Sequence, residues 1–266
     1  MPLDLRPLAW SRMALGAIFL ARTTPLARVF KGVLVPMMAP LLGWPEPGAW
    51  RVAALDLVLP DALVKVACVV RTAGALLFLV GLFPRVAGVV AFAAAALVAA
   101  QDPFGYIFTL QTLMLGVLVV ALADSATCLA VRAEPARAAR SSLWLVQGFV
   151  ASIYLWAAIA KMRGPWLDGS VLQAFREEGY IHGWLADALL GGEALRRGCA
   201  WTVVGAELLL GPALLWRRTR VVALVGACLM HAVFEVAIHP DVFGWVMGAL
   251  LLAFWPVERG GEGEGA

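Results

Sequence analysis

The sequence is built from long, sparsely charged apolar runs that recur along its length, and their size constrains the fold more than any other feature. The stretch LWLVQGFVASIYLWAAIAK, residues 143–161, carries no formal charge before its last residue, Lys161. Similar runs occupy residues 62–83, 86–101, 105–123, 199–216, 221–238 and 242–256. A helix of about 20 residues crosses a hydrocarbon core, and in lipid a helix satisfies its own backbone hydrogen bonds. Unbroken apolar runs of this length are not half-buried strands, whose pattern alternates. With a weaker first segment, LAWSRMALGAIFLARTTP, the sequence predicts an all-α, polytopic membrane bundle of about eight spans.

Composition agrees. Hydrophobic residues make up 62% of the chain, well above the roughly 45–50% of a soluble domain, and mean hydropathy is +0.85. The 266 residues leave little for a second domain, so one membrane domain is expected over residues 1–257. A flexible polar tail, ERGGEGEGA, follows at 258–266. The first segment contains Arg12, ends in Arg22 and has no clear small-residue cleavage site, so it reads as a retained helix rather than a signal peptide. No internal repeat is visible. The net charge of +3 is small and scattered between apolar runs, which does not suggest nucleic-acid binding. Cys68, Cys128, Cys199 and Cys228 show no metal-type spacing and say nothing about redox compartment.

Loop charge orients the bundle, because lysine and arginine in short loops stay on the cytoplasmic side. Arg85, then Arg132, Arg137 and Arg140, then Arg217, Arg218 and Arg220 mark one side, whereas Asp102 and Asp241 mark the other. That alternation predicts both termini in the cytoplasm and a multi-pass protein of the inner (plasma) membrane. Two longer segments, 23–61 and 162–197, then lie outside. The broken apolar stretch at 29–44, with Pro36 and Pro40, reads as re-entrant or interfacial rather than as a further span. The segment SVLQAFREEGYIHGWLADALL, broken by Gly179 and Gly183, reads as short amphipathic helices on the outer surface between spans five and six.

Ionisable groups inside spans are expensive and each needs an account. Arg71 and Glu207 fall near the middle of their runs and are opposite in sign, so they can neutralise each other, brace the helices, or contact a ligand. Lys65 and Gln111 sit nearer the outer ends of theirs. His231, Glu235 and His239 recur every fourth residue and share one helical stripe. Such a stripe lines a cavity more readily than it binds a metal, because one helix supplies too few ligands. Lys161 closes its run beside Arg163 and Trp166, where a lysine anchors a helix end. If partly desolvated beneath the outer segment, it can instead act as a base.

The spacing of Tyr154, Lys161, Trp166 and Gly169 resembles the horizontally transferred transmembrane (HTTM) family, best known for vitamin K-dependent gamma-glutamyl carboxylase. The similarity continues through the amphipathic segment, GAELLLGPALLW and the His231 helix with DVFGWVMGALLLAFWP. It covers residues 143–256 and extends weakly back to about Ala62. The resemblance implies a membrane domain that binds a vitamin K or menaquinone-type quinol, with Lys161 as base and His231 at a second catalytic position. Glu235, Arg71, Glu207, Trp166 and Gln111 are then expected to line the ligand, and no metal is implied. Two departures weaken the analogy. Phe104 stands where the carboxylase has a second functional histidine, and ADSATC replaces the family's aromatic-Ser-aliphatic-Asp motif. No sequence after the bundle matches the carboxylase's lumenal region, so carboxylation of a protein substrate is not expected. The expected partners are the bilayer and an isoprenoid quinone. The alternatives are a non-enzymatic scaffold or small-solute permease, and a metal- or haem-binding redox protein using His231 and His239.

Overall fold

A computed structural model describes residues 4–23, 60–100, 108–162, 164–237 and 242–255. The stretch 29–44, Phe104, Asp102, Arg163, His239, Asp241 and the polar tail lie outside those residues. Among the described residues the secondary structure is entirely helical: α1 (Arg6–Thr23), α2 (Asp61–Val80), α3 (Pro84–Ala99), α4 (Phe108–Leu122), α5 (Ala139–Lys161), α6 (Gly164–Leu167), α7 (Ser170–Glu177), α8 (Trp184–Leu190), α9 (Glu193–Leu215), α10 (Arg220–Ala237) and α11 (Phe243–Leu251), continued by a 3₁₀ turn, Leu252–Phe254. Four of these are long and apolar enough to cross a membrane: Ala62–Val80, Ala139–Lys161, Glu193–Leu215 and Arg220–Ala237. Three shorter apolar helices, Pro84–Ala99, Phe108–Leu122 and Phe243–Phe254, occupy the other expected runs. The chain divides into two units, Met1–Leu145 and Val146–Ala266.

In the first unit α2 packs on α1 and α3, while α4 packs on α3 and α1. Lipid gives apolar helices no hydrophobic reason to associate, so close backbone approach has to supply the contact. The alanine-rich α3 provides it. A Cβ built at Gly88 would lie 2.4 Å from the Cβ of Ala121 on α4, a separation only glycine permits.

Arg12, in the middle of α1, is fully buried. Its guanidinium donates to the Phe78 carbonyl at 3.2 Å and to the Leu129 carbonyl. α2 ends there in a left-handed turn at Gly81, φ 73°, with Leu82 N–H on the Leu77 carbonyl at 2.9 Å. Arg71, about halfway along α2, donates to the carbonyl of Thr23, the last residue of α1, at 2.7 Å. These two contacts make α1 and α2 antiparallel and fix their offset. α2 continues ten residues beyond Arg71 towards its start, about 15 Å past the end of α1 at 1.5 Å per residue. α1 thus covers only part of the length of α2, which a count of apolar runs does not reveal.

The loop after α4 is organised by Asp124, which is buried. Its carboxylate accepts N–H groups of Arg137 at 3.0 Å and Ala138 at 2.7 Å, ahead of the first turn of α5, and pairs with Arg85 at 2.5 Å. A carboxylate there answers the unpaired donors and the positive end of the helix dipole. Burial alone would raise the Asp124 carboxyl. The donors of Ala138, Arg137 and Ser142 and the Arg85 charge outweigh that and hold it below the usual carboxylate range.

In the second unit α9 packs on α10, α10 on α11, and the short helices α6, α7 and α8 on α9. Between α5 and α9, a Cβ at Gly211 would lie 3.0 Å from the Ala151 carbonyl oxygen. The segment 164–190 folds around Leu172, Ile181, Ala186, Leu190 and Ala200, with Trp166 against them. Gly179 and Gly183, φ 79° and 94°, turn the chain between α7 and α8. Arg176 links the two helices through Asp187 at 2.7 Å and the Leu190 carbonyl at 3.1 Å. His182 N–H reaches the Ala237 carbonyl at the end of α10, at 3.2 Å.

Candidate functional site

Five of the seven candidate residues, Lys161, Trp166, Glu207, His231 and Glu235, fall in the second unit; Arg71 and Gln111 fall in the first. Glu207 sits within α9 and its partner is Lys161. The lysine Nζ donates to both carboxylate oxygens, at 2.7 and 2.9 Å. The neutralisation expected between Arg71 and Glu207 is therefore corrected. Lys161 answers Glu207, while Arg71 serves the carbonyl end of α1. The physical reason is side-chain direction, which run-by-run reading cannot supply.

That direction also decides what kind of lysine this is. From the Ala151 and Gly211 contact, α5 advances ten residues to Lys161 whereas the antiparallel α9 advances only four to Glu207, about 15 Å against about 6 Å. The two side chains must lean towards each other, each along the Cβ tilt that points to its own helix N-terminus. For Lys161 that is back along α5, not onward past its end. A snorkelling lysine extends the other way, to water. The side chains are 20% and 6% exposed, so the carboxylate is buried and the lysine is part-buried against it. Trp166 completes the lysine's surroundings, with Nζ 5.4 Å from its ring centroid, a cation–π distance.

Seven residues earlier on α5, two turns and about 10 Å along the axis, Tyr154 is buried and its hydroxyl lies 2.9 Å from His231 Nε2 on α10. Tyr154 and Lys161 share one face of α5. The imidazole is further enclosed by Phe243 and Phe234, with centroids at 5.6 and 6.1 Å. One turn along α10, Glu235 presses on the first turn of α11, where a Cβ at Gly244 would lie 2.6 Å from Oε2. Among the described residues neither His231 Nδ1 nor Glu235 Oε2 has a hydrogen-bond partner, although both atoms are buried. Such groups are normally satisfied in a folded protein, so a ligand carrying both a donor and an acceptor would complete them.

The apolar patterning identified His231, Lys161 and Glu207 but not which side chains meet. Tyr154 carried a weak signal there, one of three polar side chains, with Gln147 and Ser152, ahead of Lys161 in its run. Gln111 is partly buried on α4. No group of three or more His, Cys, Asp or Glu able to hold a metal occurs among the described residues.

The sequence model of the HTTM domain family matches residues 2–258. No curated protein and no solved structure matches the chain. The family match takes in both units and every side chain described above, and on its extent the chain belongs to the HTTM domain family.

Proposed function

We propose that the chain is an eight-span protein of the plasma membrane, with both termini cytoplasmic, that holds an isoprenoid quinol of the vitamin K or menaquinone type. Lys161 meets the quinol hydroxyl as base, backed by Glu207, while His231 and Glu235 line the cavity. The four long helices, the three shorter apolar helices and α1 supply the eight segments, and α6, α7 and α8 form the outer-surface layer. The observation that carries the reading is the Lys161–Glu207 pair, a part-buried ammonium leaning back along its helix to a buried carboxylate. Intramembrane ionisable groups that face the bundle mark functional sites by default.

One observation favours a second reading, a non-enzymatic scaffold. Lys161 donates to both oxygens of Glu207, as a structural staple would. Lipid extracts of protein purified in mild detergent separate the two. Mass spectrometry should find quinone near one per chain in wild type and lose it in Lys161→Ala and His231→Ala. Absence of quinone from wild type would overturn the proposal and leave the staple.

A further inference from the structure

A lysine that already holds its proton cannot accept another, and Lys161 is held as an ammonium by both oxygens of Glu207. We propose that the base is the Lys161–Glu207 pair rather than the lysine alone, with Glu207 as the residue that stores the lysine's proton. This rests on the reading that a quinol hydroxyl sits at Lys161.

The geometry supports it in three ways. The Nζ to Oε1 line, at 2.7 Å, is already a short charge-assisted hydrogen bond, so the proton has a path to the carboxylate. Glu207 is almost wholly buried, and Lys161 is its hydrogen-bond partner. Among the described residues the ring of Trp166 also lies beside the ammonium, and it has no site for a proton. Separated charges are poorly solvated in such a place, which narrows the gap between the ion pair and the neutral pair.

The proton count balances. Moving one proton from Nζ to a Glu207 oxygen turns ammonium and carboxylate into amine and carboxylic acid with no change in net charge. The amine then takes the ligand's hydroxyl proton; an O–H bond breaks, an N–H bond forms, and the quinolate is left against an ammonium. Glu207 keeps the first proton. Without the carboxylate, Lys161 remains an ammonium that can hold an anion but cannot receive a proton. Glu207 acts through Lys161 and is a positioning residue in this scheme.

The test counts protons on binding. The probe is a redox-inert nitrophenol with a short isoprenyl tail, whose phenolate absorbs in the visible, added to full-length protein in detergent at least one pH unit below the phenol's solution pKa. Calorimetry in two buffers of different ionisation enthalpy gives the protons released per probe bound. Wild type should show the phenolate band with close to zero protons released. Glu207→Gln should either release about one proton per bound phenolate or bind the phenol without the band. Glu207→Asp retains a carboxylate and should restore the wild-type count, which a general packing defect would not do. A phenolate band in both wild type and Glu207→Gln with equal proton release, or an Asp variant that behaves like Gln, would overturn the inference. Binding to wild type without the phenolate band would do the same while leaving a quinol site in place. Failure of wild type to bind any probe would remove the quinol reading itself, a distinct result.

Discussion

The Lys161–Glu207 pair makes a sharp prediction about stability, because its two halves are unequally placed. Lys161→Met leaves Glu207, 6% exposed, as an unpaired buried carboxylate. Removing one partner of a buried pair is expected to destabilise by about 3–5 kcal/mol. Glu207→Leu strands the lysine, but its side chain is 20% exposed at the last residue of α5 and can swing past the helix end towards water. That relief should hold the loss to roughly 1.5–3 kcal/mol, the range for a charged hydrogen bond. The double variant removes both charges together and should lie within about 1–2 kcal/mol of wild type, since apolar replacement of a whole buried pair is often neutral. The expected coupling is therefore at least about 2 kcal/mol, large for residues on different helices. Equilibrium unfolding of the four proteins in one detergent, followed by helical circular dichroism, measures it. If the losses of the single variants simply add, or if Glu207→Leu is the costlier change, the side chains do not meet as described and the argument from their lean fails.

Two further predictions concern the first unit. Gly81→Ala would place a Cβ 2.0 Å from Arg12 Nη1 at a φ of 73°; backbone strain of about 1–2 kcal/mol and loss of the charged bond to the Phe78 carbonyl should unfold the protein at distinctly lower denaturant, whereas the control Gly148→Ala, with nothing within 4 Å among the described residues, should leave the midpoint unchanged or raised. The depressed Asp124 carboxyl contributes stability that is fully present above the ordinary aspartate pKa of about 3.9 and is lost as pH falls through its lower folded value; Asp124→Asn should be less stable at neutral pH, with its deficit against wild type shrinking below about pH 4, and a pH-independent deficit would remove the carboxylate from the loop's stability.

The class of fold was legible because lipid imposes one rule on every span, and residues 143–161 obey it without any knowledge of their neighbours. The site was legible one residue at a time. Lys161, Glu207 and His231 stand out because each interrupts an apolar run, and an interruption is visible in one dimension. Their pairing depends on helix register, set by close contacts such as Gly211 on Ala151, and a glycine in an apolar run does not say what it faces. Arg12 was equally hidden. In sequence it weakens a span, while in the structure it binds two carbonyls far along the chain. Asp124 lay in ADSATC, noted only as a departure from a motif, yet it ties the start of α5 to Arg85.

The charges near the described helices do two different kinds of work. Arg12 donates to the final turn of α2, Arg71 to the last carbonyl of α1, and Arg220 to the Leu214 and Leu215 carbonyls that end α9. Asp124 accepts the donors ahead of α5. Each sits where a helix leaves polar groups unpaired and where its dipole favours that sign of charge, so helix termination accounts for the contacts they make. Glu207 and His231 sit within their helices, while Lys161 is the last residue of α5 and Glu235 lies against the first turn of α11. Their partners are one another, a tyrosine hydroxyl, or no described group at all, although desolvating them is as costly as desolvating the arginines. All four belong to the second unit, and α5 brings Lys161 and the Tyr154 partner of His231 onto one face. The proposed chemistry therefore lies along that face of α5.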